Sequence, residues 1–382
     1  MVKETAAAFA KKEVKPVANQ MDREAVYPSA LVRRLGEMGF MGMFVPEELG
    51  GSGMDLVSYV VAMEEISKAW ASLGVIMSVN NSLVCPLILR FGSAEQKKRY
   101  LASLARGERL GCYALTEPAS GSDAGSIQTR AKRVGNDYVL NGNKIFITNG
   151  SRADLAIVYA VTQPAKGKKG ISAFLVEKNS PGFMVSKLED KLGLRSSDTA
   201  TLLFEDCAVP QESLLGEEGD GFRIALATLD GGRIGIAAQS LGIAQGCLEE
   251  SVAYAKQRRQ FGRAIAEFQA IQWMLADMAT EIDAARLLTY RAAWLAQQGR
   301  TFTKEAAMAK LFASEAANRI AYKAIQIFGG YGYTKEFAVE RFFRDARVTT
   351  LYEGTSEIQR LVIARRLIHG EGVAHEFHAE AF

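Results

Sequence analysis

Residues 138–148, YVLNGNKIFIT, decide the class of fold because β-forming residues stand on both sides of an Asn-Gly-Asn sequence. Aromatic and β-branched residues are enriched in strands, and Asn-Gly is the strongest short-range signal of a hairpin turn. Further β-rich runs follow closely, at residues 155–161, 171–176 and 201–204. Because no long helical pattern separates these runs, we predict an antiparallel sheet or small barrel over residues 113–219, not a parallel doubly wound sheet.

The chain on either side of this β-rich region has the period of α-helices. Before it, apolar residues recur at helical spacing, through Tyr59, Val60, Met63 and Ile66. After it, one apolar stripe steps by three and four residues, through Ile271, Leu275, Met278, Ile282 and Ala285. A second long helix is predicted from about Thr303 to Phe328, because two glycines follow it. The predicted order is a helical region over residues 1–112, the β-rich region, and a helical bundle over residues 220–382.

The composition is that of a soluble, well-packed protein long enough for two or three domains. The chain has 382 residues, of which 48% are hydrophobic and 23% are charged, with a net charge of +3. The charges are spread along the chain, which excludes a disordered tail protein and gives no electrostatic case for nucleic-acid binding. No apolar stretch approaches the roughly 20 residues of a membrane helix, and no signal-peptide core is present. We therefore expect no membrane span, and a cytoplasmic or mitochondrial-matrix location.

Cysteine and histidine usage excludes several kinds of site. The cysteines form no CxxC pair, so we expect buried reduced thiols, at Cys85, Cys112, Cys207 and Cys247. The three histidines all fall in the last fourteen residues, where a polar tail is expected, at His369, His375 and His378. We predict no metal site, and we find no GxSxG, GxxxxGK[ST] or GxGxxG motif. Any chemistry would then use carboxylates, hydroxyls, backbone amides and a borrowed cofactor.

Two segments are unusual for a purely structural scaffold. Residues 113–123, YALTEPASGSD, would expose hydroxyls and backbone amides that can bind a polar ring or a phosphate, and an ordinary domain-junction turn is the alternative interpretation. Residues 255–263, AKQRRQFGR, form a basic run at the end of a helix, where arginine can bind a pyrophosphate. A solvated basic face that complements the helix C-terminus is the alternative interpretation of this second segment.

A third segment, residues 351–360 with the sequence LYEGTSEIQR, offers a candidate base. Ser356 and Gln359 have the spacing of a capping box, so a helix is predicted to begin near Ser356. Glu353 then lies in the tight turn before the helix, between Tyr352 and Gly354. There, burial would raise the pKa of its carboxyl group and the helix N-terminus would lower it. Such a carboxylate suits the removal of a carbon-bound proton at neutral pH.

These three segments, in this order, resemble the acyl-CoA dehydrogenases, and residues 78–83, SVNNSL, are similar to the short-chain (butyryl-CoA) type. The resemblance covers nearly the whole chain, to about residue 368. It implies a fold that is mainly α with a middle β-barrel: a helical N-terminal domain over residues 1–112, a small antiparallel β-barrel over 113–219 and a C-terminal four-helix bundle over 220–382. It also implies non-covalent FAD and a homotetramer built as a dimer of dimers.

The resemblance assigns a role to individual residues. Glu353 matches the catalytic base, and the helix position that carries the base in some relatives is Gly232 here. Flavin contacts within one chain are implied for Tyr113, Leu115, Thr116, Ser122, Phe146, Ile147, Thr148, Thr355 and Glu357. FAD contacts contributed to a partner subunit are implied for Arg258, Phe261, Gln269, Gln326, Gly329 and Gly330. Substrate contacts are implied for Ser122, Asp230, Arg233, Tyr352 and Gly354, with residues 230–233 forming a turn beside CoA. Most relatives carry Trp where this chain has Phe146, which keeps an aromatic wall.

The implied reaction is the α,β-dehydrogenation of a short-chain acyl-CoA to the trans-2-enoyl-CoA. Glu353 would accept the Cα proton while a hydride passes from Cβ to flavin N5, and an electron-transferring flavoprotein would accept the electrons. The thioester oxygen would be bound by the backbone N–H of Glu353 and a ribityl hydroxyl. An acyl-CoA oxidase using O₂, a non-catalytic acyl-CoA-binding protein and physiological enoyl-CoA reduction are the alternatives. The sequence does not fix the length or branching of the acyl chain.

Overall fold

A computed structural model describes residues 1–370, and its N-terminal region is helical as predicted. The helices are α1 (Val2–Phe9), α2 (Lys15–Glu24), α3 (Ser29–Glu37), α4 (Leu56–Ala69), α5 (Ala71–Ser78), α6 (Cys85–Phe91) and α7 (Ala94–Ala105). Short π-helical segments, Ala10–Val14 and Val79–Val84, join α1 to α2 and α5 to α6. Most apolar side chains of α4 and all those of α5 are buried, so these helices form the centre of the region.

The continuous helical stretch Ala71–Phe91 corrects one expectation. It has 21 residues and a mean hydropathy of 1.7, so an apolar stretch long enough to cross a membrane does exist in the chain. However, 89% of its most apolar window is buried inside the protein. Core helices and membrane helices share this length and composition, and the burial is that of a core helix.

The middle region is an eight-stranded sheet. Its strands are β1 (Gly111–Ala114), β2 (Arg130–Val134), β3 (Asp137–Thr148), β4 (Leu155–Val161), β5 (Ile171–Glu177), β6 (Phe183–Leu188), β7 (Thr199–Pro210) and β8 (Leu214–Leu215). They are ordered β6-β7-β3-β2-β4-β5-β8, with β1 beside β4. The described strands do not close into a barrel, because β6 and β8 are the two ends of this order. Most pairs are antiparallel as predicted, but β4 pairs in parallel with both β1 and β2.

The hairpin turn predicted at residues 141–143 is wrong. β3 runs without interruption through these residues and pairs with β7 along its length, with register shifts between Leu140 and Gly142 and between Lys144 and Ile147. A Cβ atom at Gly142 would lie within 3 Å of Thr129, and its φ of +146° favours glycine. The Asn-Gly signal therefore marks a β-bulge, because pairing with a distant strand outweighs the local preference for a turn.

The C-terminal region is helical as predicted. Its helices are α8 (Gly221–Gln257), α9 (Gln269–Gln297), α10 (Thr303–Phe328), α11 (Ala338–Val348) and α12 (Ser356–His369), with a hairpin of β9 (Arg259–Gln260) and β10 (Arg263–Ala264) between α8 and α9. α10 packs against the other four helices, and α4 packs against α8. The bounds predicted for α10 are confirmed. The turn predicted at residues 230–233 is wrong, because these residues lie inside α8.

The buried cysteines are confirmed, since all four are free and buried. Helices from both ends of the chain share the largest hydrophobic core, which includes Trp70 and Leu241. His369 ends α12 and is exposed, whereas His375 and His378 lie outside the described residues. Within residues 1–370 no cluster of three or more His, Cys, Asp or Glu side chains is suited to a metal ion.

Candidate active site

A cavity of about 760 Å³ lies between the sheet and the C-terminal helices. We call it the Glu353 cavity. It is bounded by the loop after β1, the end of β3, the loop between β6 and β7, the first half of α8 and the turn between α11 and α12. Twelve of the sequence-predicted site residues line it: Tyr113, Leu115, Thr116, Ser122, Phe146, Ile147, Thr148, Arg233, Tyr352, Glu353, Gly354 and Thr355. Its volume is within the range of small-molecule and cofactor sites.

Glu353 lies in the tight turn predicted for it, between α11 and α12. Glu353 and Gly354 both have left-handed backbone angles, with φ of +49° and +89°. The side-chain amide of Gln359 donates hydrogen bonds to the carbonyl oxygens of both residues, at 3.2 and 2.9 Å. A non-glycine residue with positive φ is strained, so surrounding contacts must hold it. The turn is therefore a fixed structure that presents one carboxylate to the cavity.

The helix after this turn begins at Ser356 as predicted, but the predicted capping box is wrong. The capping residue is Thr355, whose Oγ1 accepts a hydrogen bond from the N–H of Ile358 at 3.3 Å. The Ser356 hydroxyl instead donates to Glu315 at 2.7 Å. Gln359 is turned back toward the Glu353 turn and is buried. Ser356 and Gln359 thus both form hydrogen bonds elsewhere and do not cap the helix.

The carboxylate of Glu353 is poorly solvated. Its Oε2 is buried and accepts no hydrogen bond within residues 1–370. Burial raises the pKa of Glu353 to about 7, opposed by the positive charges of Lys310 and Arg233. The groups that lower the pKa of Glu353 are thus two side chains, whereas the sequence predicted that the helix N-terminus would lower it. A carboxyl group with this pKa can act as a general base near neutral pH.

Lys310 is a neighbour of Glu353 that sequence reasoning missed. It is completely buried on α10, and its Nζ donates a hydrogen bond to the Gly354 carbonyl at 2.7 Å. Its helix face is otherwise formed by small apolar residues such as Ala306, Ala313 and Ala317, all buried. A lysine on the apolar face of a predicted buried helix is the signal that could have identified it.

Asp230 and Arg233 lie in the interior. The Arg233 side chain is 3% exposed and lines the cavity, and its Nη1 donates to Asp230 Oδ1 at 2.6 Å. Asp230 Oδ2 accepts a hydrogen bond from Thr303 Oγ1 at 2.5 Å, and Asp230 does not line the cavity. The Nε of Arg233 is buried and has no hydrogen-bond partner within the described residues. Arg233 therefore has an N–H beside Glu353 that could bind a ligand, whereas Asp230 holds the Arg233 side chain in place.

Gly232 makes room for the Glu353 carboxylate. A Cβ atom at this position would collide with Oε2 of Glu353 and would approach Leu83 to 3.2 Å. The preceding Gly231 faces open space on the same helix. A side chain at position 232 and a carboxylate at position 353 thus exclude each other in this arrangement.

The opposite wall of the cavity comes from the sheet. Phe146 lies at the irregular part of β3 with φ of +57°, and its side chain is 62% exposed. The Tyr113 hydroxyl donates to the Ala225 carbonyl at 3.3 Å and so links β1 to α8. The N–H of Ile145 donates to the Thr116 carbonyl at 2.9 Å. These contacts bring the residues of two distant sequence segments onto one surface.

A buried ion pair, also missed by sequence reasoning, fixes the loop after β1. Lys144 Nζ lies 2.6 Å from Glu117 and donates to the Leu115 carbonyl at 3.1 Å. Glu117 also accepts hydrogen bonds from the N–H groups of Gln128 and Thr129. Burial lowers the pKa of Lys144 to about 8, and Glu117 opposes this effect. The pair and its hydrogen bonds therefore tie the loop after β1 to β3 and to the backbone at Gln128 and Thr129.

The remaining predicted cofactor residues do not line the cavity. Glu357 is exposed on the first turn of α12. The other six lie at the shared end of α8, α9 and α10, and we call them the helix-end surface: Arg258, Phe261, Gln269, Gln326, Gly329 and Gly330. All six are exposed, and Phe261 is 93% exposed at the tip of the β9–β10 hairpin. The Arg258 guanidinium lies 5.5 Å from the ring of Tyr331.

Comparison with known proteins identifies the family. Three domain families of the acyl-CoA dehydrogenases match the chain: the N-terminal domain over residues 1–108, the middle domain over 112–207 and the C-terminal domain over 219–368. The mitochondrial short-chain specific acyl-CoA dehydrogenase of Mus musculus is 55% identical over 368 residues, which are 96% of this chain and 89% of the mouse protein. An acyl-CoA dehydrogenase of Bacillus subtilis is 54% identical, covering 97% of this chain and 98% of that protein.

Solved structures give the same result. Butyryl-CoA dehydrogenase from Megasphaera elsdenii matches with a TM-score of 0.94 and 46% identity, over 96% of this chain and 97% of that one. A chain from the structural work on the electron transferring flavoprotein of Acidaminococcus fermentans matches with a TM-score of 0.95 and 51% identity, over 97% of both chains. A glutaryl-CoA dehydrogenase from Mycobacterium smegmatis in complex with FADH2 matches with a TM-score of 0.92 and 33% identity, over 98% and 95%. The chain belongs to the acyl-CoA dehydrogenase family and is an oxidoreductase.

Proposed function

We propose that this enzyme uses FAD to convert a short-chain acyl-CoA into the trans-2-enoyl-CoA, with Glu353 as the acceptor of the Cα proton. The observation that carries the proposal is the Glu353 carboxylate, whose Oε2 is buried beside a cavity of about 760 Å³ and has no hydrogen-bond partner among the described residues. Its pKa of about 7 leaves a substantial fraction ionised at neutral pH. The 55% identity to a short-chain specific relative supports the substrate class.

The turn that presents Glu353 also offers a hydrogen-bond donor. A thioester α-proton is a weak acid, so the negative charge that develops on the thioester oxygen must be stabilised as the proton leaves. The backbone N–H of Glu353 donates no hydrogen bond within residues 1–370, which supports its assignment to this oxygen. The carboxylate and the N–H of one residue would then act on adjacent atoms of the substrate. The hydrogen bonds from Gln359 to this turn keep the two groups in a fixed relation.

The residues of the cavity fit FAD. The exposed ring of Phe146 provides an aromatic face. The hydroxyl groups of Thr116 and Thr148 and the loop after β1 provide polar edges around it. When bound, FAD supplies the acceptor for the hydride that leaves Cβ. Tyr113, Leu115, Ser122, Ile147 and Thr355 would complete the contacts of the flavin within one chain. We assign Ser122, Arg233, Tyr352 and Gly354 to the substrate side, with Asp230 acting through Arg233.

A homotetramer built as a dimer of dimers completes this proposal. The helix-end surface would contact the FAD of a second copy, because within one chain it lies apart from the Glu353 cavity. Large apolar side chains are also exposed on α9 and α10, including Trp273 at 64%, Leu287 at 73% and Tyr322 at 64%. Exposed apolar groups of this size mark surfaces that associate. Association of copies through these helices would bury them.

We propose that an electron-transferring flavoprotein accepts the electrons. The support is the 51% identity to a chain from the structural work on the electron transferring flavoprotein of A. fermentans. Similar proteins include mitochondrial and bacterial ones, so a matrix or a bacterial cytoplasmic location fits. Release of hydrogen peroxide during turnover would instead indicate an oxidase.

The test is anaerobic addition of acyl-CoA thioesters to the purified holoenzyme. We expect a yellow protein whose flavin absorbance is bleached fastest by butyryl-CoA, within a panel of straight, branched and longer thioesters. Bleaching by a branched or long thioester alone would revise the substrate class. Binding without bleaching by any member would identify a non-catalytic acyl-CoA-binding protein. A colourless protein that FAD cannot reconstitute would contradict the cofactor assignment, and reoxidation of reduced enzyme by crotonyl-CoA would report the reverse reaction.

A further inference from the structure

Lys310 is a buried cation whose position the proposed reaction does not yet use. It lies in the interior of α10, completely buried, and its Nζ donates to the carbonyl oxygen of Gly354 at 2.7 Å. Within residues 1–370 no carboxylate oxygen lies within 4.0 Å of this Nζ, so the charge has no direct ion-pair partner. Burying a lysine without such a partner is costly. A functional role at the adjacent turn of Glu353 and Gly354 would explain why a lysine is buried here despite this free-energy cost.

The charge of Lys310 acts mainly on Glu353. Arg233, the other buried cation beside Glu353, already forms an ion pair with Asp230. Lys310 and Glu353 act on each other, and Arg233 of α8 acts on both of them. Two further charged groups act on Lys310, namely Glu315 of α10 and Glu357 of α12. Burial, with a smaller contribution from the charge of Glu353, raises the pKa values of three tyrosines near it: Tyr59, Tyr113 and Tyr352. Glu315 accepts a hydrogen bond from Ser356, and Glu357 is exposed, so neither neutralises Lys310 directly.

The hydrogen bond of Lys310 also has a mechanical consequence. Gly354 has φ of +89° and follows Glu353 at +49°, so two successive residues are in the left-handed region. Their carbonyl groups are held by two side chains from different helices: Gln359 of α12 contacts both, and Lys310 of α10 contacts Gly354. Gln359 is neutral and Lys310 is charged. The two residues therefore share the positioning of the turn, but only Lys310 adds an electrostatic effect.

We propose that Lys310 is a positioning residue for the reaction: it holds the Gly354 carbonyl and, through its charge, keeps the Glu353 carboxylate ionised at neutral pH. This inference rests on the function proposed above. When Glu353 accepts the Cα proton and becomes neutral, the charge of Lys310, which is buried against the turn and does not line the cavity, is no longer offset by the carboxylate. It then favours the negative charge that the substrate acquires in the same step.

The experiment compares two substitutions at the same turn in the holoenzyme. Lys310→Gln keeps a donor but removes the charge, whereas Gln359→Met removes the donors to the turn and changes no charge. For K310Q we expect the acidic limb of the kcat/KM profile against pH to move up by about one unit or more. For Q359M we expect a lower kcat with the midpoint of that limb unchanged. Lys310→Arg, which keeps the charge, should restore the midpoint.

A second measurement does not depend on turnover. The carbonyl stretch of the protonated Glu353 carboxyl group can be titrated by infrared difference spectroscopy, with E353Q as the reference. We expect its midpoint to rise in K310Q and in the near-isosteric Lys310→Met, which replaces K310Q if that variant does not fold. A midpoint that moves by less than about 0.3 units in a folded, charge-removing variant overturns the proposal for Lys310 alone. Full activity of E353Q would instead overturn the proposed function.

Discussion

The family resemblance assigns FAD contacts to both the Glu353 cavity and the helix-end surface, yet the two regions differ in structure. The cavity is lined by residues from the sheet, α8 and the α11–α12 turn, and its central carboxylate is poorly solvated. The residues of the helix-end surface are all exposed, and none of them lines the Glu353 cavity of its own chain. One region is thus completed by the fold of a single chain, and the other acquires a function only if a second copy covers it.

This difference separates two kinds of functional residue. In the cavity, burial changes the chemistry of a side chain, as the raised pKa of Glu353 illustrates. At the helix-end surface, Arg258 and Phe261 have ordinary solvated environments, so any effect on a cofactor would come from contact alone. Substitutions in the first region should therefore change the rate, and those in the second should change the retention of FAD.

The largest expected effect is that of Glu353→Gln. The substitution keeps the shape of the side chain but removes the base, so we expect the rate of flavin reduction by butyryl-CoA to fall by about 10²–10⁴-fold. FAD content and far-UV circular dichroism should be those of the wild type. Retention of more than a tenth of the activity would show that the cavity does not depend on this carboxylate.

Gly232→Ala tests the cavity without replacing an ionisable residue. The added methyl group collides with Oε2 of Glu353, and displacing a reacting group by about 1 Å costs on the order of 10²-fold in rate. The matched control is Gly231→Ala on the same helix, where the new methyl group faces open space. We expect G231A to retain its rate and to gain up to about 1 kcal/mol of stability from helix propensity. Equal rates for the two variants would contradict the described position of Glu353.

Arg258→Ala tests the helix-end surface. If Arg258 contacts a phosphate of FAD, losing this charge-assisted hydrogen bond, worth about 1.5–3 kcal/mol, weakens FAD binding by about 10–100-fold. Equilibrium dialysis of the apoprotein with FAD measures the change. Arg259→Ala on the same hairpin is the control, and FAD affinity should be unchanged in it.

Mixing two variants, one without the base and one with weakened FAD binding, sharpens the same comparison. A hybrid of E353Q and R258A copies contains sites that combine an intact Glu353 from one chain with an intact Arg258 from the other. If the helix-end surface serves the cavity of a partner, co-expressed hybrids should recover measurable activity at limiting FAD. Hybrids with no more activity than the average of the two parents would place both residues in the same site.

The smallest expected effect is on stability and depends on pH. Because the folded state raises the pKa of Glu353 from about 4.5 to about 7, ionising this group costs folding free energy as the pH rises through that range. The wild-type penalty is absent below pH 4.5 and reaches about 3 kcal/mol above pH 7. E353Q should therefore unfold a few degrees above the wild type at pH 8 and at the same temperature near pH 4.5. A wild type that is the more stable one at pH 8 would contradict the desolvation of Glu353.

Local patterns predicted much of the fold. The bounds of α10, the buried cysteines and the tight turn at Glu353 follow from spacing, terminators and residue type, and the structure has all three. The errors in the β-rich region share one cause, which is pairing between distant segments. The Asn-Gly sequence at residues 141–142 became a bulge because β7 pairs along the whole of β3, and the sheet stayed open with β4 parallel to β1.

The amino-acid sequence by itself determined the order of helical and β-rich regions, because periodicity and capping act over a few residues. It also identified the family and placed Glu353 in a turn. Only the tertiary structure decided that Glu353 is desolvated, that Lys310 and Arg233 balance its charge, and that Glu117 and Lys144 pin the loop beside it. Burial and electrostatic coupling depend on distances between residues that are far apart in the chain, and no local pattern contains those distances.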